Sequence, residues 1–177
     1  MVFLRWGDWA VIRACDEADF QALLALINAA AEAYRDIIPP DRWKEPYMPA
    51  QELTDEISTD IRFQGFEEAG ALKGVMGVQD IKDVTLIRHA YVDPTAQRQG
   101  IGTALLTRCC KLAERPLLIG TWAAADWAIK FYEKHGFQRA SPADKDRLLR
   151  TYWTIPQRQI ETSVVLADAR WFEENTA

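Results

Sequence analysis

Apolar and polar residues alternate along this chain with two periods, one of about two residues and one of about 3.6. Period-two runs at residues 61–66, 72–78 and 84–92 follow one another with short turns between them, which predicts an antiparallel meander. The third run is apolar almost throughout, as expected of a strand that is covered on both faces. Shorter runs of the same kind predict four more strands, at residues 9–13, 117–122, 137–140 and 162–167.

The helical period predicts about four helices, and local residues mark where several of them begin or end. Asp16 is a typical N-cap for the first helix, and the pair Pro39-Pro40 prevents its continuation. Pro116 ends the third helix, and Gly136 stands where the fourth helix needs a left-handed C-terminal residue. The predicted helices lie within residues 16–34, 49–61, 100–114 and 124–135.

The third predicted helix connects two strands of one sheet. A strand-helix-strand connection of this length requires the strands at 84–92 and 117–122 to run parallel, through a right-handed crossover. Where such strands are splayed, their carboxyl ends open a crevice, which is the usual place for a ligand. The pattern therefore predicts a mixed, mostly antiparallel sheet with one parallel pair at its ligand site.

A turn that contains two glycines follows directly on the strand at 84–92. Val92-Asp93-Pro94 closes the strand, and the turn Gln97-Arg98-Gln99-Gly100-Ile101-Gly102 leads into the amphipathic run that starts at Thr103. The glycines let the backbone approach a ligand without an intervening Cβ, and N–H groups at a helix N-terminus lack partners within the helix. The helix dipole adds to the attraction for an anion, so this turn is predicted to bind a phosphate group.

Two common phosphate-binding signatures do not fit this turn. The dinucleotide fingerprint needs a third glycine where this chain has Leu105. The P-loop needs a lysine and a serine or threonine where this chain has Thr103 and Ala104. A nucleotide-binding oxidoreductase is therefore disfavoured, and the antiparallel first half of the predicted sheet disfavours it further.

The turn instead resembles that of a known enzyme superfamily. Gln97-x-x-Gly100-x-Gly102 is similar to the Gln/Arg-x-x-Gly-x-Gly/Ala turn of the GCN5-related N-acetyltransferase (GNAT) superfamily, which likewise follows a strand with such an end. About thirty residues later, the segment from Ala128 to Phe137 resembles the helix-to-strand segment A-x-x-F-Y-E-K-x-G-F of the same superfamily. The resemblance covers roughly residues 9–140 and a last strand near 162–167.

This resemblance implies an α/β (α+β) fold of the GNAT type, with a mixed, mostly antiparallel seven-stranded sheet, about four helices, and parallel, splayed strands four and five. It implies acetyl-coenzyme A (acetyl-CoA) as co-substrate, with its pyrophosphate on main-chain N–H groups of the turn and its pantetheine paired with the backbone of Ala90 and Val92. The residues that bind acetyl-CoA are expected to be Ala90, Val92, Gln97, Arg98, Gln99, Gly100, Ile101, Gly102 and Thr103.

The resemblance also assigns one catalytic residue. Tyr132 matches the tyrosine that acts as the general acid and protonates the departing thiolate. Aromatic side chains are often packing residues, and filling space against the sheet is the alternative role for Tyr132. The reaction implied is transfer of an acetyl group to a primary amine of a small molecule or peptide by direct attack.

Two positions depart from the superfamily pattern. Leu86 stands where some members have a glutamate that acts as the base, and Ala125 stands where many have an asparagine that contacts the cofactor. Because of these departures, a non-catalytic acyl-CoA sensor is the alternative function. His89 is more typical of a packed strand histidine than of a base, and a water chain to bulk solvent would also serve. Residues that could relay protons, none of them singled out by spacing, are Glu67, Glu68, Asp80, Asp83, His89 and Asp93.

Composition disfavours several other classes of protein. The net charge of -5 gives no basic field for a nucleic-acid backbone. The three cysteines show neither disulfide nor metal-ligand spacing, which is typical of a reducing compartment. No apolar run reaches the roughly 18 residues that span a bilayer, and the first residues do not form a signal peptide. We expect a cytoplasmic protein that binds no nucleic acid, no membrane and no metal.

A length of 177 residues predicts a single domain, 1–177, with one unusual connection. Residues 141–161 separate the last two strands, and we interpret them as a lid or homodimer contact with a helical turn around 145–150, or as an excursion packed on the core. The stretch with Trp43, Tyr47 and Met48 either packs in the core or, as the resemblance implies, lines the pocket for the acceptor amine.

Overall fold

The computed structural model describes residues 10–175 of the chain and contains seven strands and seven α-helices within them. The strands are β1 (Ala10–Ala14), β2 (Arg62–Glu68), β3 (Ala71–Ile81), β4 (Val84–Val92), β5 (Leu117–Trp122), β6 (Gln138–Arg139) and β7 (Ser163–Ala167). The helices are α1 (Phe20–Ala31), α2 (Ala50–Ser58), α3 (Ile101–Leu112), α4 (Asp126–Lys134), α5 (Pro142–Tyr152), α6 (Gln157–Glu161) and α7 (Ala169–Asn175). Trp9, where the first strand was predicted to begin, lies outside the described residues.

The strands form one sheet in the order β1-β2-β3-β4-β5-β7-β6. β1 and β2, β2 and β3, β5 and β7, and β6 and β7 pair antiparallel. β4 and β5 pair parallel, with a register that runs from Thr85 opposite Leu117 to Ile87 opposite Ile119. The predicted mixed, mostly antiparallel sheet with parallel strands four and five is therefore confirmed.

The structure has more helices than the four or so that the sequence pattern predicts. α5 and α6 occupy most of the 141–161 segment, where only one helical turn was expected, and α7 lies in the tail. The start of α5 follows ordinary capping rules, because the Ser141 hydroxyl accepts a hydrogen bond from Asp144 N (3.1 Å) and Pro142 lies in the first turn. The class of fold is unchanged by these additions.

The chain divides into two compact units. Unit 1 comprises residues 10–33, 44–79 and 88–112, and unit 2 comprises residues 34–43, 80–87 and 113–175. β3 and β4 each contribute their first part to one unit and their second part to the other. A single domain stays a prediction.

The core of unit 1 forms where two helices pack on the central strands. It is built from apolar side chains of α1, α2, β2 and β3, among them Leu23, Ile27, Leu53, Phe63 and Val75. α3 also lies close to β3 in this unit. A Cβ on Gly74 would stand 2.6 Å from Ile101 Cγ2 and 3.0 Å from Leu105 Cδ1, so the glycine permits this close approach.

The core of unit 2 includes the segment at 141–161. Leu148 and Leu149 of α5 and Ile160 of α6 are buried together with side chains of the strands and of α7. A Cβ on Gly120 of β5 would lie 3.3 Å from the Trp153 ring. The segment is thus packed on the core of unit 2, in line with the second of the two interpretations, and its part in a homodimer stays a prediction.

Candidate functional site

The segment between β4 and α3 is held by a side-chain cap at its start. The Asp93 carboxylate accepts hydrogen bonds from Thr95 N (2.8 Å) and Thr95 Oγ1 (2.7 Å), and Lys73 Nζ lies 3.6 Å from it. The hydrogen bonds from Thr95, with a smaller contribution from Lys73, hold the pKa of Asp93 below its ordinary value. Asp93 is therefore ionised at neutral pH and fixes the direction in which the chain leaves the strand.

Two residues of the turn adopt left-handed backbone conformations. Arg98 has φ = 63° and Gly100 has φ = 83°, one residue apart. Glycine adopts such angles at little cost, whereas an L-residue with a Cβ pays roughly 1–2 kcal/mol. The left-handed backbone at position 100 thus explains why a glycine stands there. The left-handed angle at Arg98 was not predicted from the sequence.

α3 begins directly after Gly100, and its first turn is Ile101, Gly102 and Thr103. Ala104 N donates to Gly100 O at 3.0 Å, which is the first helical hydrogen bond. N–H groups earlier than this one have no carbonyl four residues before them inside the helix, so they face toward the N-terminal end. Ile101 and Leu105 are buried and anchor the helix, which leaves the turn as a set of main-chain donors suited to an anion.

Ala90 and Val92 lie in the part of β4 that belongs to unit 1, on the strand that leads into the turn. Just before them, His89 has φ = 49°, in the left-handed region, although it lies within the strand. An extra or kinked residue of this kind re-aims a side chain, and such irregularities are common at functional sites. The expected residues of unit 1, Ala90, Val92 and 97–103, thus follow one another along β4, the turn and α3.

A polar cluster surrounds His89 in unit 1. Its ring nitrogen Nε2 contacts Glu56 Oε2, on α2, and Arg88 Nη2 lies 3.1 Å from Glu56 Oε1. Arg88 Nη1 also donates to Gln79 Oε1 at 2.9 Å, and Gln79 Nε2 donates to Thr59 O at 2.9 Å. Sequence spacing gave no sign of this cluster, because its members come from a helix and two strands that only the fold brings together.

Glu56 is ionised within this cluster. Burial acts to raise the pKa of its carboxyl, but the hydrogen bond from His89 and the charges of Arg88 and Lys44 outweigh burial and hold the pKa below its ordinary value. Nearby, the Tyr47 ring lies 6.3 Å from the Tyr91 ring, and burial raises the pKa of Tyr47. The cluster therefore pairs a fixed carboxylate with a histidine in mostly apolar and aromatic surroundings.

Tyr132 lies in unit 2, on α4. Its residue is 6% exposed, and its ring packs against Phe131 and Phe137 with centroids 5.1 and 6.1 Å apart. Gly136, with φ = 89°, takes the left-handed position that was predicted after this helix. Ala125, where the superfamily pattern has an asparagine, is buried and forms the N-cap without a side-chain hydrogen bond.

Three of the carboxylates considered as proton relays accept hydrogen bonds from other side chains. Glu67 accepts from Arg13 Nε (2.7 Å), Asp80 accepts from Thr85 Oγ1 (2.6 Å), and Asp83 accepts from Tyr152 Oη (2.7 Å).

One residue of the stretch predicted to line the acceptor pocket is part of the core. Met48 is 2% exposed and its backbone exchanges two hydrogen bonds with Asn28, so it is a core residue.

Comparison with known proteins places this geometry in a family. Residues 61–139 match the family model "Acetyltransferase (GNAT) domain". This stretch of the chain is similar to a GNAT domain. The matched stretch runs from β2 to β6 and includes the glycine turn, α3 and α4, so the resemblance noted in the sequence is confirmed.

Solved structures share the fold at low sequence identity. PaiA N-acetyltransferase from Thermoplasma acidophilum, in complex with coenzyme A, aligns with a TM-score of 0.68 and 17% identity over 90% of this chain and 98% of that one. The ribosomal-protein-S18-alanine N-acetyltransferase from Escherichia coli gives 0.64 and 18% over 90% and 92%. YncA, a putative acetyltransferase from Salmonella typhimurium with acetyl-CoA, gives 0.60 and 20% over 76% and 82%.

A sequence relative is the UPF0157 protein YqkA from Bacillus subtilis, 28% identical over 127 residues, which are 70% of this chain and 36% of YqkA. The chain therefore spans about a third of the length of the relative it matches.

Within residues 10–175, no helix has both the length and the apolar character needed to cross a membrane. The same residues hold no group of three or more His, Cys, Asp or Glu side chains arranged for a metal ion.

Proposed function

We propose that this protein is an N-acetyltransferase that moves the acetyl group of acetyl-CoA to a primary amine of a small molecule or peptide. The observation that carries the proposal is the turn at 97–103, which joins left-handed backbone at Gly100 to the N-terminus of a buried helix inside the stretch that is similar to a GNAT domain. Several of the structural neighbours are named as N-acetyltransferases, and four are complexes with coenzyme A or acetyl-CoA.

The donor set fits the proposed co-substrate. Main-chain N–H groups from Gln97 to Thr103 would hold the pyrophosphate, because a helix N-terminus offers both donors and a favourable dipole. The backbone of Ala90 and Val92 would pair with pantetheine as an added strand does. A Cβ at position 100 would impose strain on the turn, so the left-handed glycine supports a role for the backbone itself.

The chemistry requires an acid as well as a binding site. When the amine nitrogen attacks the thioester carbonyl, the N–C bond forms, the C–S bond breaks, and coenzyme A leaves as a thiolate. Tyr132 of unit 2 is the proposed donor of the proton that the sulfur takes up. A main-chain N–H near Val92 is the proposed donor to the carbonyl oxygen as negative charge develops on it.

The acceptor is proposed only as a class. One structural neighbour is named for an alanine of ribosomal protein S18, and another is an N-acetylglutamate synthase from Neisseria gonorrhoeae complexed with coenzyme A and L-arginine. These names cover protein and small-molecule amines alike.

For the cell compartment we propose the cytoplasm, because none of the three cysteines, all of them among the described residues, forms a disulfide.

Binding of the co-substrate is tested by calorimetry with coenzyme A. We expect the wild-type protein to bind it and Gly100→Val to bind at least about tenfold more weakly, because a β-branched residue is strained at φ = 83°. Gly70→Val is the matched control, since Gly70 has φ = 78° in the turn between β2 and β3 and a Cβ there meets nothing within 4 Å. Equal affinity of both variants and the wild type would contradict the binding site.

Catalysis is tested by release of free coenzyme A thiol over a panel of amines. Tyr132→Phe should lower kcat by about 10²-fold or more while coenzyme A affinity stays unchanged, because only the proton donor is lost. Tyr152→Phe, which removes another buried tyrosine hydroxyl of unit 2, is the control. Binding of acetyl-CoA without turnover of any amine would instead favour the acyl-CoA sensor.

A further inference from the structure

The proposed transfer leaves one chemical task unassigned. A primary amine resembling a lysine side chain has a pKa of about 10.4, so nearly all of it is protonated at neutral pH and cannot attack. A proton must therefore leave the bound ammonium, either to a group on the protein or through a chain of water molecules. Leu86 occupies the position of the glutamate that some family members were expected to use, and the carboxylates of Glu67, Asp80 and Asp83 are engaged in structural bonds.

We propose that His89 is the general base that deprotonates the acceptor amine and that Glu56 is the residue that positions it. This inference rests on the proposed acetyl transfer. It adds to that function a histidine-carboxylate pair built from β4 and α2 of unit 1. His89 lies one residue before Ala90, which is proposed to hold the arm of acetyl-CoA, so the base is placed on the same strand as the thioester.

The contact with Glu56 determines which nitrogen can act. Nε2 of His89 faces Glu56 Oε2, so Nε2 carries the proton and Nδ1 keeps the lone pair that accepts one. The carboxylate itself is held by Arg88 Nη2 at 3.1 Å, and Arg88 is in turn held by Gln79. Three polar side chains thus fix one ring orientation, as expected of a base that must meet its substrate in one geometry.

The backbone at His89 supports the same assignment. A φ of 49° inside a strand is sparsely populated by residues other than glycine and is unfavourable unless the surroundings stabilise it. Residues next to such an irregularity have their side chains redirected relative to the regular strand. Here the redirected side chain contacts a carboxylate on α2, the helix that follows the stretch which the family resemblance assigns to the acceptor.

The groups around His89 come from every element packed against it. α2 contributes Glu56, β4 contributes Arg88 and Tyr91, β2 contributes the Phe63 ring, and the segment before α2 contributes Tyr47. Lys44 acts on Glu56 through its charge and is ion-paired with Glu52 at 2.6 Å. His89 and Glu56 side chains are only 11% and 20% exposed, so solvent weakly screens the pair.

The proton count closes with these groups. Nδ1 of His89 takes one proton from the bound ammonium, and the free amine forms the N–C bond to the acetyl carbon. As the C–S bond breaks, the sulfur takes the Tyr132 proton, and the phenolate recovers a proton from the nitrogen of the new amide. His89 then releases its proton to solvent, so that one ammonium and one acetyl-CoA give one amide, one coenzyme A thiol and one proton.

The test uses the two histidines of the chain as a matched pair. His89→Gln and His135→Gln are assayed for kcat/KM against pH with the best amine of the panel, and for coenzyme A affinity by calorimetry. We expect His89→Gln to lower kcat/KM by about 10²-fold or more and to lose the acid limb of the profile. His135→Gln should stay within about threefold of the wild type, because His135 lies at the end of α4 in unit 2, where its ring bonds Phe131 O, and has no proposed part in the reaction. Both variants should bind coenzyme A as the wild type does.

The role of Glu56 has a readout that does not depend on turnover. The ¹⁵N NMR spectrum of His89, isolated in the His135→Gln background, should show a single Nε2–H tautomer, and Glu56→Gln should give a mixture while Glu56→Asp restores the single form. An unchanged tautomer in Glu56→Gln overturns the positioning role. The NMR measurement tests the positioning role of Glu56 even if His89→Gln fails to fold.

Two failures are distinguishable. Turnover that survives His89→Gln within about threefold, with the acid limb intact, overturns this inference alone and leaves acetyl transfer standing. A wild-type protein that binds coenzyme A but turns over no amine overturns the proposed acetyl transfer and this inference together.

Discussion

The two units of this protein stabilise their interiors by different means. Unit 1 adds partly buried charges to its apolar core: Asp19 pairs with Arg13, whose side chain is 35% exposed, and Glu56, His89 and Arg88 form another cluster. Unit 2 gathers apolar side chains from three strands and three helices around Leu118, Leu149 and Trp171. Charged groups out of water are stable only in arrangements that satisfy them, whereas apolar groups tolerate several packings of equal volume.

Most residues of the proposed site lie in unit 1, whereas the added helices are packed in unit 2. The turn, the strand end and the proposed base all belong to unit 1, where polar contacts hold side chains in single orientations. Unit 2 supplies most of the insertions, the helices α5 and α6, and buries them. Apart from Tyr132, the proposed acid, we expect substitutions in unit 2 to act mainly through stability, and those in unit 1 to act through pH dependence and ligand affinity as well.

The largest effect should come from the apolar unit. Leu149→Ala removes a side chain that is 1% exposed, and we expect a loss of about 2–5 kcal/mol in the free energy of unfolding, from lost burial and the cavity left behind. Chemical denaturation measures it. The exposed Thr151→Ala on the same helix is the control and should cost well under half as much. Equal costs would mean that α5 is not part of the core.

The next effect should appear in unit 1 and vary with pH. Asp19 accepts from Arg13 Nη1 (2.6 Å), Arg13 Nη2 (2.8 Å) and Asp16 N (2.9 Å), and the bonds from Arg13 hold the pKa of Asp19 below its ordinary value. We expect Asp19→Asn to lose about 1.5–3 kcal/mol at pH 7, since hydrogen bonds to charged groups are worth that much.

The sign of the pH dependence follows from that lowered pKa. A carboxyl whose folded pKa is depressed contributes stability above its unfolded pKa and loses it as pH falls through the folded value. The difference between wild type and Asp19→Asn should therefore be complete at pH 7 and shrink below about pH 4. Leu149→Ala measured over the same range should keep a constant difference. A pH-independent Asp19→Asn effect would remove the contrast between the units.

The smallest effect should link packing to the glycine turn. Gly74→Ala places a Cβ 2.6 Å from Ile101 Cγ2, and we expect about 1–3 kcal/mol of destabilisation from overpacking together with weaker coenzyme A binding, because Ile101 opens α3. Ile101→Ala removes the opposing methyl, so the double variant should recover part of the loss in a double-mutant cycle. Additive costs would show that the two residues do not press on each other.

Local signals made most of the fold predictable from the sequence. The bounds of β4 and β5 agree with prediction, and the parallel connection between them follows from the length of the helix that joins them. α5 is longer than the predicted turn, although Ser141 and Pro142 form an ordinary start signal.

The functional residues divide in the same way. Gly100 could be predicted because a left-handed turn before a helix has a residue signature of its own. The partnership of Glu56 with His89 could not, because no periodicity relates a residue on α2 to a residue on β4. Sequence spacing predicts which residues share a face within one helix or strand. The contact between Glu56 and His89 instead results from the packing of a helix on the sheet.

The pairing of β7 with β5 bears on how quickly the chain can fold. Leu118 is opposite Ala167, and these two strands are separated in the sequence by α4, α5 and α6. Contacts between residues far apart in sequence are slow to form, because the intervening chain must first lose its freedom. We therefore expect the helices of unit 2 to acquire structure early in refolding and the β5-β7 ladder to gain amide exchange protection last.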